Sequence, residues 1–109
     1  MFDFDLLTKC IGFEWDKHNI DKIWQKHHVS APECEQIFFN LPLVTADDVK
    51  HSEKENRFYA LGHTDTDRLL FMVFTIRKSK VRVISARDMN RKEREVYQFY
   101  EKKNTKIQK

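Results

Sequence analysis

The chain has 109 residues and a mass of 13.2 kDa, the size of one domain. Its 40% apolar and 34% charged content fits a folded, soluble, aromatic-cored protein and excludes a disordered one. The net charge of +3 conceals a split: residues 1–75 hold 8 Lys/Arg against 13 Asp/Glu, whereas residues 76–109 hold 12 against 4. A chain so polarised either neutralises itself in the fold or offers a basic face to an anionic partner.

No apolar run approaches the ~18 residues of a membrane span. The N-terminus lacks the basic and apolar regions of a secretory signal, so the cytoplasm is the expected compartment. Cys10 and Cys34 show no CxxC or Cys/His spacing, and the five His residues show no metal-binding spacing. No cofactor or metal is expected.

In chain order, Ile11, Phe13 and Trp15 alternate with Gly12 and Glu14, the period of a half-buried strand. Phe2, Phe4 and Leu6 alternate in the same way and either lengthen that strand or pack across it. Asp16 is placed to cap a helix to about His27, with Ile20, Ile23, Trp24 and His27 on one stripe. Ser30 with Glu33 forms a capping box for a second helix, and Val29 with Cys34 holds the staple positions. That helix buries Cys34, Ile37 and Phe38 and stops at Asn40-Leu41-Pro42.

Leu43–Ala46 reads as a short strand and Asp47–Glu55 as a loop or exposed edge. Arg57–Leu61 is a strand, turned back by Gly62–Asp67. Arg68–Ile76 is apolar on both faces, which predicts a central strand covered on both sides. Arg77–Lys80 is a hairpin turn into a last strand, Val81–Ala86. Asn90 and Glu93 cap a final helix to about Lys103, with Glu93, Val96, Tyr97 and Tyr100 on its stripe and a frayed tail over residues 104–109. The order is β-α-α-β-β-β-β-α. The class is therefore α+β, a small antiparallel meander packed with N-terminal helices and a C-terminal helix, all in one domain.

Chemistry concentrates in Val81–Arg87. Strict alternation puts Arg82 with Ile84 and Ala86, and Arg87 with Val81, Val83 and Ser85, on opposite faces. An Arg in such a strand forms a structural ion pair or aims its planar fork at phosphate. Arg91 and Glu95 form an i,i+4 pair, while Arg94 and Tyr97 share a helix face. Lys26 and His27 stand at a helix C-terminus, where the dipole favours cations. Glu55 and Arg57 point to one side as a strand begins, either as a surface ion pair or as two flanks of a site. Ser85 has no His/Asp partner at a nucleophile-like spacing.

Taken in order, Phe13-Glu14-Trp15-Asp16, Lys26-His27-x-Val29-Ser30, His51-Ser52 with Glu55-x-Arg57, Gly62, Arg68-Leu69-Leu70 with Phe74-Thr75, Arg82-Val83-Ile84-Ser85-Ala86-Arg87, and Glu93-Arg94 with Tyr97 resemble the BrnT toxins. The resemblance spans about residues 11–100. It implies a RelE-like fold and a toxin of a bacterial type II toxin–antitoxin pair, a ribonuclease that arrests translation. It also implies a BrnA-like ribbon-helix-helix antitoxin, which links the toxin to operator DNA only indirectly, and RNA as substrate, with the ribosome as a candidate further partner.

Two positions depart from the family pattern. His28 stands where Gly usually ends the first helix, and Ala31-Pro32 replaces an aromatic residue and an acid. His accepts the left-handed conformation at some cost, and Pro suits a first helical turn, so both turns are expected to survive.

Relatives of this fold cleave RNA without a metal, by attack of the ribose 2′-hydroxyl on the adjacent phosphate. For that chemistry Arg82 and Arg87 are the candidate transition-state clamps and His27 and Glu55 the acid/base candidates. Lys26, Arg57, Arg94 and Tyr97 are the candidate RNA contacts, Tyr97 by stacking or proton donation. The competing readings are a non-enzymatic RNA-binding module and a protein-interaction domain, each using the basic C-terminal third.

Overall fold

The computed structural model describes residues 7–51 and 55–108. The alternating Phe2, Phe4 and Leu6 lie outside them, as do Ser52 and Lys109. Strand β1 (Gly12–Glu14) leads to helix α1 (Lys17–His27) and helix α2 (Ala31–Gln36), which ends in a 3-10 turn, Ile37–Phe39. Strand β2 (Val44–Asp47), a second 3-10 turn (Val49–His51), and strands β3 (Arg57–His63), β4 (Leu69–Arg77) and β5 (Lys80–Asp88) follow, before helix α3 (Arg91–Gln108). From β1 onward the expected element order is found, with the two 3-10 turns added and α3 continuing past Lys103; Leu7 and Thr8, ahead of β1, are helical.

The sheet order is β1-β5-β4-β3-β2. It is mixed rather than wholly antiparallel, because β1 pairs parallel to β5, Gly12–Glu14 against Lys80–Arg82. The two helices between β1 and β2 allow the chain to enter on that side. The β4–β5 turn has Lys78 and Ser79 both at positive φ (51° and 62°), the signature of the two-residue hairpin that matches strand twist.

Local capping follows the sequence. The Asp16 carboxylate accepts from the His18 N–H at 2.8 Å. Ser30 and Glu33 form both bonds of their capping box, and so do Asn90 and Glu93. Both departures from the family pattern are accommodated. His28 ends α1 in the left-handed conformation (φ 53°, ψ 39°), its N–H donating to the Trp24 carbonyl, and Pro32 lies in the first turn of α2.

The core lies between one sheet face and the two N-terminal helices. Phe58 and Ala60 of β3, Leu70, Met72 and Phe74 of β4, and Val81, Val83 and Ala86 of β5 meet Ile23, Val29, Cys34 and Ile37. The α1 stripe is narrower than its spacing suggests: Ile23 is buried, but Trp24 and His27 are exposed. The α3 stripe shrinks further, to Tyr97, leaving Val96, Phe99 and Tyr100 in solvent. The helix meets the sheet at Tyr97 with His63 and at Glu93 with Arg87, both in its first half. The second face of β4 is thus half-buried, not covered.

Candidate nucleic-acid interface

A β-bulge builds the site. Val73 lies opposite Ser85 but Phe74 lies opposite Val83, so Ile84 is an extra residue in β5. The strict alternation of the sequence reading fails there. Val81 and Val83 stay buried before the bulge and Ala86 after it, and Arg82 and Arg87 come to the same face instead of opposite ones. Cross-strand partners share a face, so three rows cross the open side: Arg57–Thr75–Arg82, Tyr59–Val73–Ser85, and Leu61–Phe71–Arg87. From strand spacing, Arg57 and Arg82 lie about 10 Å apart, and Arg82 and Arg87 about 15 Å along the strand. Between the cationic rows lies an apolar floor.

The guanidinium groups separate structural from available arginines. An Arg has five N–H donors. Arg68 engages all of them: Nε and Nη2 to Asp88 (2.7 and 3.1 Å), Nη1 to Glu33 (3.1 Å) and to the His28 carbonyl (2.9 Å), and Nη2 to the His27 carbonyl (3.2 Å). It locks the end of α1, the start of α2 and the end of β5 together. Its own proton is held more tightly by Asp88, and Asp88 is in turn lowered by Arg68. Glu33 is pushed up by burial, but the Ser30 N–H and Arg68 outweigh this and leave it below the ordinary carboxylate range.

Arg87 is different. Its Nη1 and Nη2 reach the two oxygens of Glu93 at 2.8 and 2.9 Å, Nη1 also reaches the Asp88 carbonyl, and the group lies 4.3 Å above the Phe71 ring. Its Nε makes no hydrogen bond to the described residues, so the Nε/Nη2 edge is open. Glu93 raises the Arg87 pKa; burial pushes Glu93 up, but Arg87 and the Asn90 N–H hold it below its ordinary value. Arg82 donates from Nη1 to Glu14 at 2.8 Å and from Nη2 to Asp16 at 3.4 Å, again leaving Nε unengaged by the described residues. Both forks are pre-oriented by carboxylates, and both keep a donor edge for a further anion.

Glu55 borders this face and pairs with Arg77 at 3.1 Å. Arg94 is exposed and donates to the Met89 carbonyl. Lys26 and His27 are exposed at the end of α1, the helix that covers the other face, and so are not among the three rows. The clearest correction concerns Tyr97, which is 0% exposed and has no face for a base. Its hydroxyl donates to the Pro42 carbonyl at 2.6 Å. That proton is thereby committed, so His63 Nδ1, 2.8 Å away, donates to the hydroxyl oxygen. Burial, with Glu101 and Asp67, raises the phenol well above its ordinary range. Tyr97 anchors α3 to the sheet.

The floor holds groups that sequence reasoning missed. Tyr59, Phe71, Val73 and Ile84 line a depression of about 220 Å³, edged by Asp48, Arg57 and Ser85. Tyr59 and Phe71 have ring centroids 5.4 Å apart. Asp48 is 3% exposed and accepts a hydrogen bond from the Tyr59 hydroxyl, which raises the phenol's pKa. The available signal was the second apolar set of β4, Phe71 and Val73, read there as covered. A larger apolar cavity of about 320 Å³ lies by β1 and Phe38, and among the described residues that line it Cys10 alone is ionisable. Among the described residues no group of three His, Cys, Asp or Glu is placed to hold a metal ion, and no helix is long and apolar enough to cross a membrane.

The comparisons with known proteins agree with this architecture. The crystal structure of the Brucella abortus ribonuclease toxin BrnT, at 1.1 Å resolution, superposes with a TM-score of 0.53 and 19% identity. The match covers 73% of this chain and 97% of that one, a likeness of fold. No curated protein matches the sequence. The family model for the ribonuclease toxin BrnT of type II toxin–antitoxin systems matches residues 15–93, from the end of the β1 segment through Glu93, which orients Arg87. The chain belongs to the BrnT family of ribonuclease toxins.

Proposed function

We propose that the chain is an endoribonuclease toxin that cleaves RNA without a metal, the ribose 2′-hydroxyl attacking the adjacent phosphate. The reading rests on one observation above all: Arg57, Arg82 and Arg87 share a face, and the two on β5 keep open donor edges. A base takes the 2′ proton as the 2′-oxygen bonds to phosphorus. The dianionic phosphorane collapses to a 2′,3′-cyclic phosphate, and an acid protonates the departing 5′-oxygen. Arg82 and Arg87 stabilise the equatorial charge, with Arg57 holding a neighbouring phosphate. Glu55, paired with Arg77 at the border of that face, is the acid/base candidate on the clamp side of the sheet, and His27 is the one on the other side. His27 and Lys26 meet RNA that crosses the β5 edge beyond Arg82, where no strand pairs among the described residues. Arg94 extends the basic path onto α3.

The partner in this reading is a BrnA-like ribbon-helix-helix antitoxin that covers the basic face and represses the toxin, and the ribosome is a candidate site of cleavage. Expression of the gene alone should arrest bacterial growth. The purified chain with RNA and a chelator should yield fragments ending in cyclic phosphate. Arg82→Ala should abolish both while keeping the fold and antitoxin binding. RNA retained intact by wild-type protein would favour a binding module instead.

A further inference from the structure

We infer that the Ser85 hydroxyl holds the ribose 2′-hydroxyl of the bound strand and so makes the site selective for RNA over DNA. The inference rests on the ribonuclease reading for its biological meaning. Ser85 belongs to the middle row, Tyr59–Val73–Ser85, and lines the depression between the rows of Arg82 and Arg87. Each of those arginines lies one row away, about 7 Å along the strand. The bulge at Ile84 puts the hydroxyl there: in a regular strand Ser85 would face the core with Val81 and Val83. The fold itself makes no use of it. Among the described residues the Ser85 hydroxyl forms no hydrogen bond, whereas Tyr59 donates to Asp48, and Asp48 and Arg57 have further partners.

The neighbours determine what this hydroxyl meets. Phosphate oxygens only accept, and the Arg82 and Arg87 guanidinium groups already present open donor edges to them. The ribose beside a clamped phosphate presents its 2′-oxygen, which must come within about 3–3.5 Å of phosphorus to attack. Ser85 stands between the clamps, so a ribose whose 3′-phosphate they hold lies over it. A hydrogen bond donated by Ser85 to one lone pair of the 2′-oxygen leaves the other lone pair for phosphorus and the 2′ proton for the base. The hydroxyl thus orients the nucleophile without taking its proton. A deoxyribose lacks the oxygen, and the adjoining floor, Val73 and Ile84, is apolar and supplies Ser85 with no substitute partner. The 2′-hydroxyl is the group by which a protein tells RNA from DNA at a given position.

The test titrates the full chain with the four nucleoside 3′-phosphates and their 2′-deoxy counterparts, which carry no esterified leaving group and stay intact. Wild-type protein is expected to bind each ribonucleotide about three- to tenfold more tightly than its deoxy form, the range of one neutral hydrogen bond. Ser85→Ala should bring the ribonucleotides down to the deoxy affinities and leave the latter unchanged. Ser85→Thr, which keeps a hydroxyl, should retain the preference. Single-turnover cleavage of RNA should fall about ten- to a hundredfold in Ser85→Ala, because the nucleophile is no longer held. Equal binding of ribose and deoxyribose forms by wild type, no binding of either, or a preference kept in folded Ser85→Ala overturns the assignment. Should Ser85→Ala not fold, Ser85→Cys decides, because its weak S–H donor must lose the preference as well. A ribose preference without any RNA cleavage would sink the ribonuclease reading and keep the Ser85 site. Cleavage by wild type without a ribose preference would do the reverse.

Discussion

Arg87→Lys separates the two uses of this residue, because it keeps the charge and removes the planar fork. The lost contacts are the bidentate pair with Glu93, whose side chains are 35% and 19% exposed, and the stacking on Phe71 at 4.3 Å. Partly exposed pairs contribute about 1 kcal/mol or less, and an exposed cation–π contact about 0.5–1 kcal/mol. Lys retains part of the former. The net cost should be about 1 kcal/mol, a fall in Tm of roughly 4–8 °C for a domain near this size. The effect on cleavage should be far larger. Losing a donor aimed at developing oxyanion charge costs about 10²–10³ in rate, or roughly 3–4 kcal/mol. A lysine ammonium is a point charge and cannot keep one edge on Glu93 while offering another to phosphate. Single-turnover cleavage of an RNA oligonucleotide, run well below both melting temperatures, isolates the chemical loss from the stability loss. A rate within threefold of wild type, with the Tm lowered as expected, would show that Arg87 is structural and refute the clamp.

Gly62→Ala tests the packing of β3 on the 3-10 turn: a Cβ there would lie 2.9 Å from the Ile37 Cβ, a buried neighbour with little room to move, so a loss of about 1–3 kcal/mol is expected by thermal denaturation. Acid should act through the Arg68 hub. Asp88 and Glu33 titrate below their ordinary values in the folded chain, so the stability they contribute is full above the unfolded pKa values near 4 and is lost as pH falls through the folded ones. The Tm should hold from pH 7 to about 5 and drop below about pH 4; Arg68→Met should lower the plateau and flatten that drop, whereas parallel curves for the two proteins would remove the hub from the account.

Much of the fold was legible because local chemistry and global packing agree. Ser30-x-x-Glu33 and Asn90-x-x-Glu93 mark two helix starts, and each forms both capping bonds. What was not legible depends on partners distant in sequence. Helix periodicity assigns α3 a stripe, but the sheet takes Tyr97 from it, so Val96 and Tyr100 keep their spacing and lose their burial. Tyr97, read as an RNA contact from its place beside Arg94, is drawn inward by the Pro42 carbonyl and His63. The charge split resolves in both directions. Arg82 is paired with Glu14 and Asp16 from the acidic part, while Arg87 finds Glu93 within its own basic part.

The one residue that most changes the reading is Ile84. A regular strand has period two, so two arginines five positions apart must face opposite sides, and a two-arginine clamp on one sheet face is then geometrically impossible. The bulge adds one residue to β5 opposite the Val73–Phe74 step, and from there on the face of every side chain is inverted. The core does not suffer, because Ala86, on the core face after the bulge, meets Met72 in the same register as Val83 meets Phe74 before it. The Arg-x-Ile-Ser-Ala-Arg segment is therefore a core strand at both ends and a site strand throughout. The irregularity that defeats a pattern reading is also what puts Arg82 and Arg87 on the same sheet face, flanking the depression that lies between their rows.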